Sequence, residues 1–143
     1  MLEVIGTSVA ILHDTSIVAI LRDNNPAIAY ANTWDLPGGA REPDERPIDC
    51  GLREAQEEVG LALSEDTIVW QRDYPLRLRA GLAQFLVAHI GAEAAWSIRL
   101  GDEGQSARLM PIQEFLDRSD VVPDQQARLR DYLGSLVAQV AVA

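Results

Sequence analysis

Two hydrophobic periods divide the chain. In residues 4–12 apolar side chains are dense and partly alternate with small polar ones, the pattern of a strand. His13-Asp14-Thr15 reads as a turn, and residues 16–21 (SIVAIL) as a second strand, predicted to fold back on the first as a hairpin. Arg22 ends that strand, and a loop opened by Asp23-Asn24-Asn25-Pro26 runs to about Asn32. Trp34-Asp35-Leu36 is a short extended piece before a turn built on Pro37-Gly38-Gly39.

Across residues 47–59 the period becomes helical. Successive residues of a helix turn by about 100°. Leu52, Ala55 and Val59 therefore share a face that can pack on a core, and Glu54, Glu57 and Glu58 share roughly the opposite one. Pro43 argues against helix in the acidic loop 41–44, Pro47 suits a first helical turn, and Gly60 can take the left-handed closing conformation. Downstream, residues 66–74 predict a strand broken by Pro75, and residues 81–90 (GLAQFLVAHI) the most apolar strand, central in a sheet. Residues 96–100 read as another strand, 101–105 as a loop, 108–111 as a short extended piece and 112–116 as a helical turn. Residues 123–140 predict a closing helix with Leu129, Leu133, Leu136, Val137 and Val140 on one side. Strands on both sides of a helix, with a second helix at the end, indicate the α/β class. Without repeats, low-complexity tracts or linker composition, residues 1–143 are expected to form a single domain.

Charge and composition narrow the function. The formal net charge is −10, against the basic footprint of a nucleic-acid binder and against an anionic membrane surface. No run of about 18 apolar residues suits a membrane span. The apolar N-terminus, MLEVIGTSVAIL, lacks a basic start and carries Glu3, so it reads as a strand and not a signal peptide. Cys50 is the one cysteine, which excludes an internal disulfide and fits a reducing, cytoplasmic setting. A packed thiol is the better reading of it, because neither His13 nor His89 is nearby in sequence to activate it.

The candidate chemistry lies between Trp34 and Leu61. Like charges at i,i+4 destabilise a helix by about 0.2–0.5 kcal/mol, so Glu54, Glu57 and Glu58 on one face are a choice against helix stability. An acidic face can simply be solvated. Three convergent carboxylates beside a Gly-Gly turn would instead be relieved by a hard divalent cation, Mg²⁺ or Mn²⁺, which favours oxygen ligands and substrate phosphates.

The spacing decides between these readings. Gly39, five residues, Glu45, seven residues, then Arg53-Glu54-Ala55-Gln56-Glu57-Glu58-Val59-Gly60-Leu61 resembles the Nudix box of the MutT-like pyrophosphohydrolases at every fixed position. Its soft departure is Ala55, where a larger aliphatic residue is usual. The resemblance implies an α/β/α sandwich with a mixed β-sheet and a hydrolase that uses Mg²⁺, with Mn²⁺ as an alternative. It implies that Glu57 and Glu58 bind metal, that Gly39 offers a backbone carbonyl, and that Glu54 binds metal or takes the proton of the attacking water. Arg53 would orient a glutamate, Glu45 being the candidate. Which glutamate is the base stays open.

Further similarity lies outside the box. Gly101-Asp102-Glu103-Gly104-Gln105 followed by Arg108-Leu109-Met110 resembles a MutT loop that supplies one more metal-binding glutamate, here Glu103; a plain polar turn is the alternative. Asp124 occupies the position where MutT-like enzymes read the purine edge, and it also follows Pro123 at a helix start, where a carboxylate caps well. Arg22 and Asp124 are the candidate substrate-binding residues. The expected activity is hydrolysis of a diphosphate linkage in a nucleoside diphosphate derivative, with a nucleoside triphosphate giving the monophosphate and pyrophosphate as the leading substrate. ADP-ribose or a nucleotide sugar is the rival within the class, and an inactive ligand-sensing module the rival outside it. The expected partner is a small nucleotide, with no nucleic acid and no membrane, and the protein acts as a monomer or homodimer.

Overall fold

The computed structural model describes residues 1–142. Strand β1 (Val4–His13) and β2 (Ser16–Leu21) form the expected hairpin, joined by Asp14-Thr15, with Leu12 opposite Ile17 and His13 opposite Ser16. Two short strands follow, β3 (Trp34–Asp35) and β4 (Gly38–Ala40), then helix α1 (Pro47–Val59). A 3-10 turn at Glu65–Thr67 leads into β5 (Ile68–Pro75), β6 (Leu82–His89) and helix α2 (Ala92–Trp96). Strand β7 (Ser106–Pro111) and helices α3 (Ile112–Asp117) and α4 (Pro123–Val142) complete the described chain.

The strands build one mixed sheet in the order β3-β2-β1-β6-β5, with β4 added on β1 and β7 on β2. β1 and β6 run parallel, and the other pairings are antiparallel. Alternation along β1 sends Ala10 and Leu12 to one face and Val9 and Ile11 to the other. The first face packs with Phe85, Phe115, Leu129 and Tyr132, under α3 and α4; the second packs with Leu86, Ala55 and Val59, under α1. Helices on both faces make the α/β/α sandwich anticipated from the sequence.

Three local expectations change. Residues 96–100 are not a strand. Ala92–Trp96 is a helix, which Ala-rich AEAAW favours, and residues 97–100 run back along α1, with the Arg99 N–H donating to the Val59 carbonyl. Pro37-Gly38-Gly39 is not a turn on glycine φ angles. Gly38–Ala40 is extended and pairs with β1, Gly39 opposite Thr7. Its glycines serve close approach: a Cβ on Gly38 would meet the Thr7 carbonyl oxygen at 2.5 Å. The closing helix buries Leu129 and Tyr132, while Val137 (70 % exposed) and Val140 (77 %) lie beyond the core.

Helix α1 packs on the sheet more tightly than its apolar period implied. Its buried residues are Cys50, Gly51, Ala55 and Val59, and Leu52 is half-buried. A Cβ at Gly51 would meet Leu86 Cδ1 at 2.8 Å and Thr7 Cγ2 at 2.9 Å, so the glycine lets the helix settle onto β1 and β6. Ala55 is fully buried, and its small size fits the same close approach. The packing turns the acidic face of α1 away from the sheet interior and toward β4.

Candidate active site

The geometry is built around Arg53. Its Nε and Nη2 donate to the two carboxylate oxygens of Glu45 at 2.8 and 3.1 Å, a bidentate pair, and Nη2 also donates to the Ala40 carbonyl at 3.1 Å. Nη1 donates to Glu54 Oε1 at 2.8 Å and reaches Glu57 Oε2 at 3.4 Å. One guanidinium thus ties the acidic loop, β4 and two helix glutamates together. The Arg53 hydrogen bond holds the Glu45 carboxyl down at about 2. Glu45 is in this way locked as an anion whose role is to fix Arg53.

The other carboxylates are pushed the opposite way. Burial is the main reason that Glu58 rises to about 8; the N–H of Gly38, donating to Glu58 Oε2 at 2.8 Å, opposes it, and Glu54, Asp35 and Glu103 add repulsion. Burial also raises Glu54, against the pull of Arg53 and with repulsion from Glu57 and Glu103. The backbone of Gly39 leaves room for Glu54, since a Cβ there would meet its Oε1 at 2.6 Å. Gly60 closes α1 with φ 72°, its N–H donating to the Gln56 carbonyl.

Glu54, Glu57, Glu58 and Glu103 line one cavity of about 640 Å³, together with Gly39 and Arg22. Helix α1 brings the first three, and the 101–105 loop brings Glu103. That loop is seated on the end of α1 by the N–H of Gly101, which donates to the Glu58 carbonyl at 2.9 Å. Gln105 fastens its other side, donating to the Arg22 carbonyl and to Asn32 Oδ1, both at 2.8 Å. Arg22 is itself held by the Ala29 carbonyl and by Asp35 at 3.3 Å.

Asp124 sits elsewhere. It begins α4 and pairs with Arg77, and it does not line the acidic cavity. Its neighbour Gln125 is buried and donates to Asp35 Oδ1 at 3.1 Å. Asp35, Gln125, Arg128 and Gln105 went unassigned in the sequence. Asp35, directly before the Leu-Pro-Gly-Gly stretch, and Gln105, in the loop that resembles that of MutT, carried local signals. The Cys50 thiol is buried, donates to the Gly39 carbonyl at 3.4 Å, and is pushed up by burial, a packed and unreactive state. His13 meets the Ile90 carbonyl and His89 the Tyr132 hydroxyl, both outside the acidic cavity.

Residues 4–132 match the NUDIX domain family. The chain belongs to the Nudix family. Among proteins similar to this Nudix chain is the 8-oxo-dGTP diphosphatase of Proteus vulgaris, 31 % identical over 107 residues, which cover 68 % of this chain and 89 % of that protein. The m7GpppN-mRNA hydrolase NUDT17 of Danio rerio is 36 % identical over 84 residues, 54 % of this chain. The match spans only 28 % of that relative's length. In fold, the chain resembles the MutT protein of Methanosarcina mazei Go1, with a TM-score of 0.70, 21 % identity, and 96 % and 95 % of the two chains covered.

Nudix hydrolases generally use divalent metal ions, and the donor set here suits one. The ligating atoms on offer are all oxygens, and burial first, with mutual repulsion after it, raises Glu54 and Glu58, a penalty on charge that a dication would offset. Among the described residues no three carboxylates are already drawn into a coordination sphere, because Arg53 holds Glu54 and the Gly38 N–H holds Glu58.

Proposed function

We propose that the protein hydrolyses a nucleoside triphosphate to the monophosphate and pyrophosphate, as a single cytoplasmic domain that depends on Mg²⁺. The observation that carries this reading is the convergence of Glu54, Glu57, Glu58 and Glu103 on one cavity beside Gly39 and Arg22. The similarity to an 8-oxo-dGTP diphosphatase over most of that protein's length supports the triphosphate over ADP-ribose or a nucleotide sugar. The net charge of −10 supports a small nucleotide over a nucleic-acid strand. The full set of acidic residues argues against a module kept only for sensing.

Glu57, Glu58, Glu54 and Glu103 would hold Mg²⁺, with Gly39 offering its carbonyl. Bound there, the ion supplies charge neutralisation at the phosphoryl oxygens. The chain's own residues do the remainder. Arg22, at the rim of the cavity, donates to a non-bridging phosphoryl oxygen. A water oxygen bonds to one phosphorus of the α–β anhydride, and the bridging P–O bond breaks in line. The proton of that water passes to a carboxylate of the cavity, and the nucleoside monophosphate and pyrophosphate separate, the one on the unattacked side being the leaving group. Arg53, fixed by Glu45, keeps Glu54 aimed at the cavity during this step.

A panel of nucleoside triphosphates, ADP-ribose, nucleotide sugars and a cap analogue, incubated with Mg²⁺ and resolved by chromatography, tests the reading. Pyrophosphate release from a triphosphate is expected. Loss of a single phosphate, or turnover of ADP-ribose alone, would reject it.

A further inference from the structure

Residues 23–32 arch beside the acidic cavity with little of their own to hold them. None of them is buried, and only Ile28 and Ala31 are half-buried. Tyr30 and Asn32 take left-handed φ angles of 52° and 57°, a region that a Cβ disfavours and that asparagine tolerates better than tyrosine. A segment with so few apolar contacts has low local stability. It nevertheless walls the site, since Asp23 and Ile28 line the same recess as Glu58 and Glu103.

Among the described residues, two side chains from outside hold this segment. The Arg22 Nε–H donates to the Ala29 carbonyl at 3.0 Å. The Gln105 amide nitrogen donates to Asn32 Oδ1 and to the Arg22 carbonyl, both at 2.8 Å. A carbonyl only accepts, so Arg22 fixes which end of the Gln105 amide faces it, and Asn32 must then present its oxygen. The main-chain N–H of Gln105 also donates to the Leu21 carbonyl at 2.8 Å. One residue thus fastens the end of β2, the 23–32 segment and its own loop at a single point. Both side chains belong to the site. Arg22 lines the acidic cavity, and Gln105 follows two residues after Glu103, which lines it too. A Cβ on the intervening Gly104 would meet the Leu21 carbonyl oxygen at 3.1 Å, so this step is packed directly on the end of β2.

We infer that Gln105 is a positioning residue that couples Glu103 to Arg22, so that a divalent cation held at Glu103 orders residues 23–32 and fixes the arginine that meets the phosphates. The inference rests on the reading of the acidic cavity as the cation and phosphate site. A cation that pins Glu103 removes freedom from the 101–105 loop. The Gln105 amide passes that restraint to Asn32 and to the main chain of Arg22, and the Arg22 Nε–H passes it on to Ala29. Such coupling is reciprocal, so an anion drawn to Arg22 tightens the hold on the cation in turn. With the segment ordered beforehand, less entropy remains to be lost when the nucleotide binds.

Amide exchange followed by NMR, with Mg²⁺ alone and no nucleotide, tests the coupling. The probes are the N–H groups of Ile28 and Asn32, which bond to the carbonyls of Asn25 and Asp23 within the segment, and that of Gly101, which bonds to the Glu58 carbonyl. In wild type Mg²⁺ should slow Ile28 and Asn32 by at least about fivefold, the low end of an ordinary coupling. Glu103→Gln should lose that slowing. Gln105→Glu should lose it too, while Gly101 still responds, because the variant keeps the shape of the side chain but sets an oxygen against two acceptors. Asn32→Asp, which keeps an acceptor and tolerates the left-handed angle, should retain it. Melting temperatures are compared throughout. Mg²⁺ that slows Gly101 but leaves Ile28 and Asn32 unchanged in wild type would overturn the coupling and leave the cation site standing. Slowing that survives in Gln105→Glu at an unchanged melting temperature would overturn the role of Gln105. No response at Gly101, Ile28 or Asn32 in wild type would reject the cation reading of the cavity and the coupling with it.

Discussion

The Cα of Gly101 lies against the backbone carbonyl of Glu57, so close that a Cβ at residue 101 would overlap that oxygen. Gly101 has no left-handed φ, so the requirement is for space alone. Its N–H bonds the Glu58 carbonyl, and two residues on, Glu103 reaches the cavity. Gly101→Ala should therefore lift the loop off α1 and withdraw Glu103. We expect a loss of about 1–3 kcal/mol from overpacking and at least tenfold lower turnover. Glu103→Ala should raise the Mg²⁺ concentration needed for half-activation while leaving stability near wild type. Thermal melts and Mg²⁺ activation curves check both. Equal activation curves for wild type and Glu103→Ala would return the loop to a plain polar turn.

Glu57→Gln and Glu58→Gln should each lower turnover by orders of magnitude with the fold intact. Each removes a charge that a cation needs. At Glu58 the amide oxygen can still accept the Gly38 N–H, and a neutral group suits a site that already pushes the carboxyl up to about 8. Stability should be unchanged or slightly higher, by less than about 1 kcal/mol. Near wild-type hydrolysis by both variants, measured on the best substrate, would show the metal site to be elsewhere.

What could be seen in the sequence follows from how local its causes are. The β1–β2 hairpin and α1 were legible because each depends on residues a few positions apart: a period of two, a two-residue turn, a helical period ended by Gly60. The site on α1 was legible for the same reason, since the Gly39–Leu61 pattern falls on one loop and one helix. Residues 96–100 misled because Ile98 and Leu100 alternate like a strand, yet both are half-buried against the face that holds Ala55 and Val59. Gly38 and Gly39 read as a turn because Pro-Gly-Gly usually is one; their real constraint is contact with Thr7 and Glu54, which no local pattern reveals. The contact of Ser8 with Gln125 was not legible at all. Ser8 and Gln125 are 117 positions apart and meet only because the start of α4 packs over β1.

The same distinction separates Asp124 from Gln125. Asp124 pairs with Arg77 at the first turn of α4 and lines neither the acidic cavity nor the adjoining groove that Gln125 lines. Asp124→Asn should leave the order of preference among purine substrates as it is. It should lower stability by no more than about 1 kcal/mol, the usual worth of an exposed pair with a favourable helix dipole. A changed order of purine preference, read from kcat/KM on GTP and ATP, would put Asp124 at the base after all.

Tyr74 gives a prediction in pH. Burial and a hydrogen bond to Asp131 raise its phenol to about 12, from an ordinary value near 10. A raised folded-state value means that the folded protein holds this proton more tightly than the unfolded chain does. The stabilisation is complete below the unfolded value and is lost as pH rises through the folded one. Stability should therefore fall between about pH 10 and pH 12. The twelve basic side chains are all arginine, so no lysine titrates in this window, and Cys50, whose thiol burial pushes up, adds the same slope to wild type and variant alike. Tyr74→Phe removes the phenol and should flatten this part of the curve, although Tyr132, also raised by burial, leaves a residual slope. Urea unfolding followed at several alkaline pH values, with phenolate absorbance recorded in the same samples, measures both quantities. Curves of identical slope for wild type and Tyr74→Phe would mean that Tyr74 ionises as easily in the folded protein as in the unfolded chain.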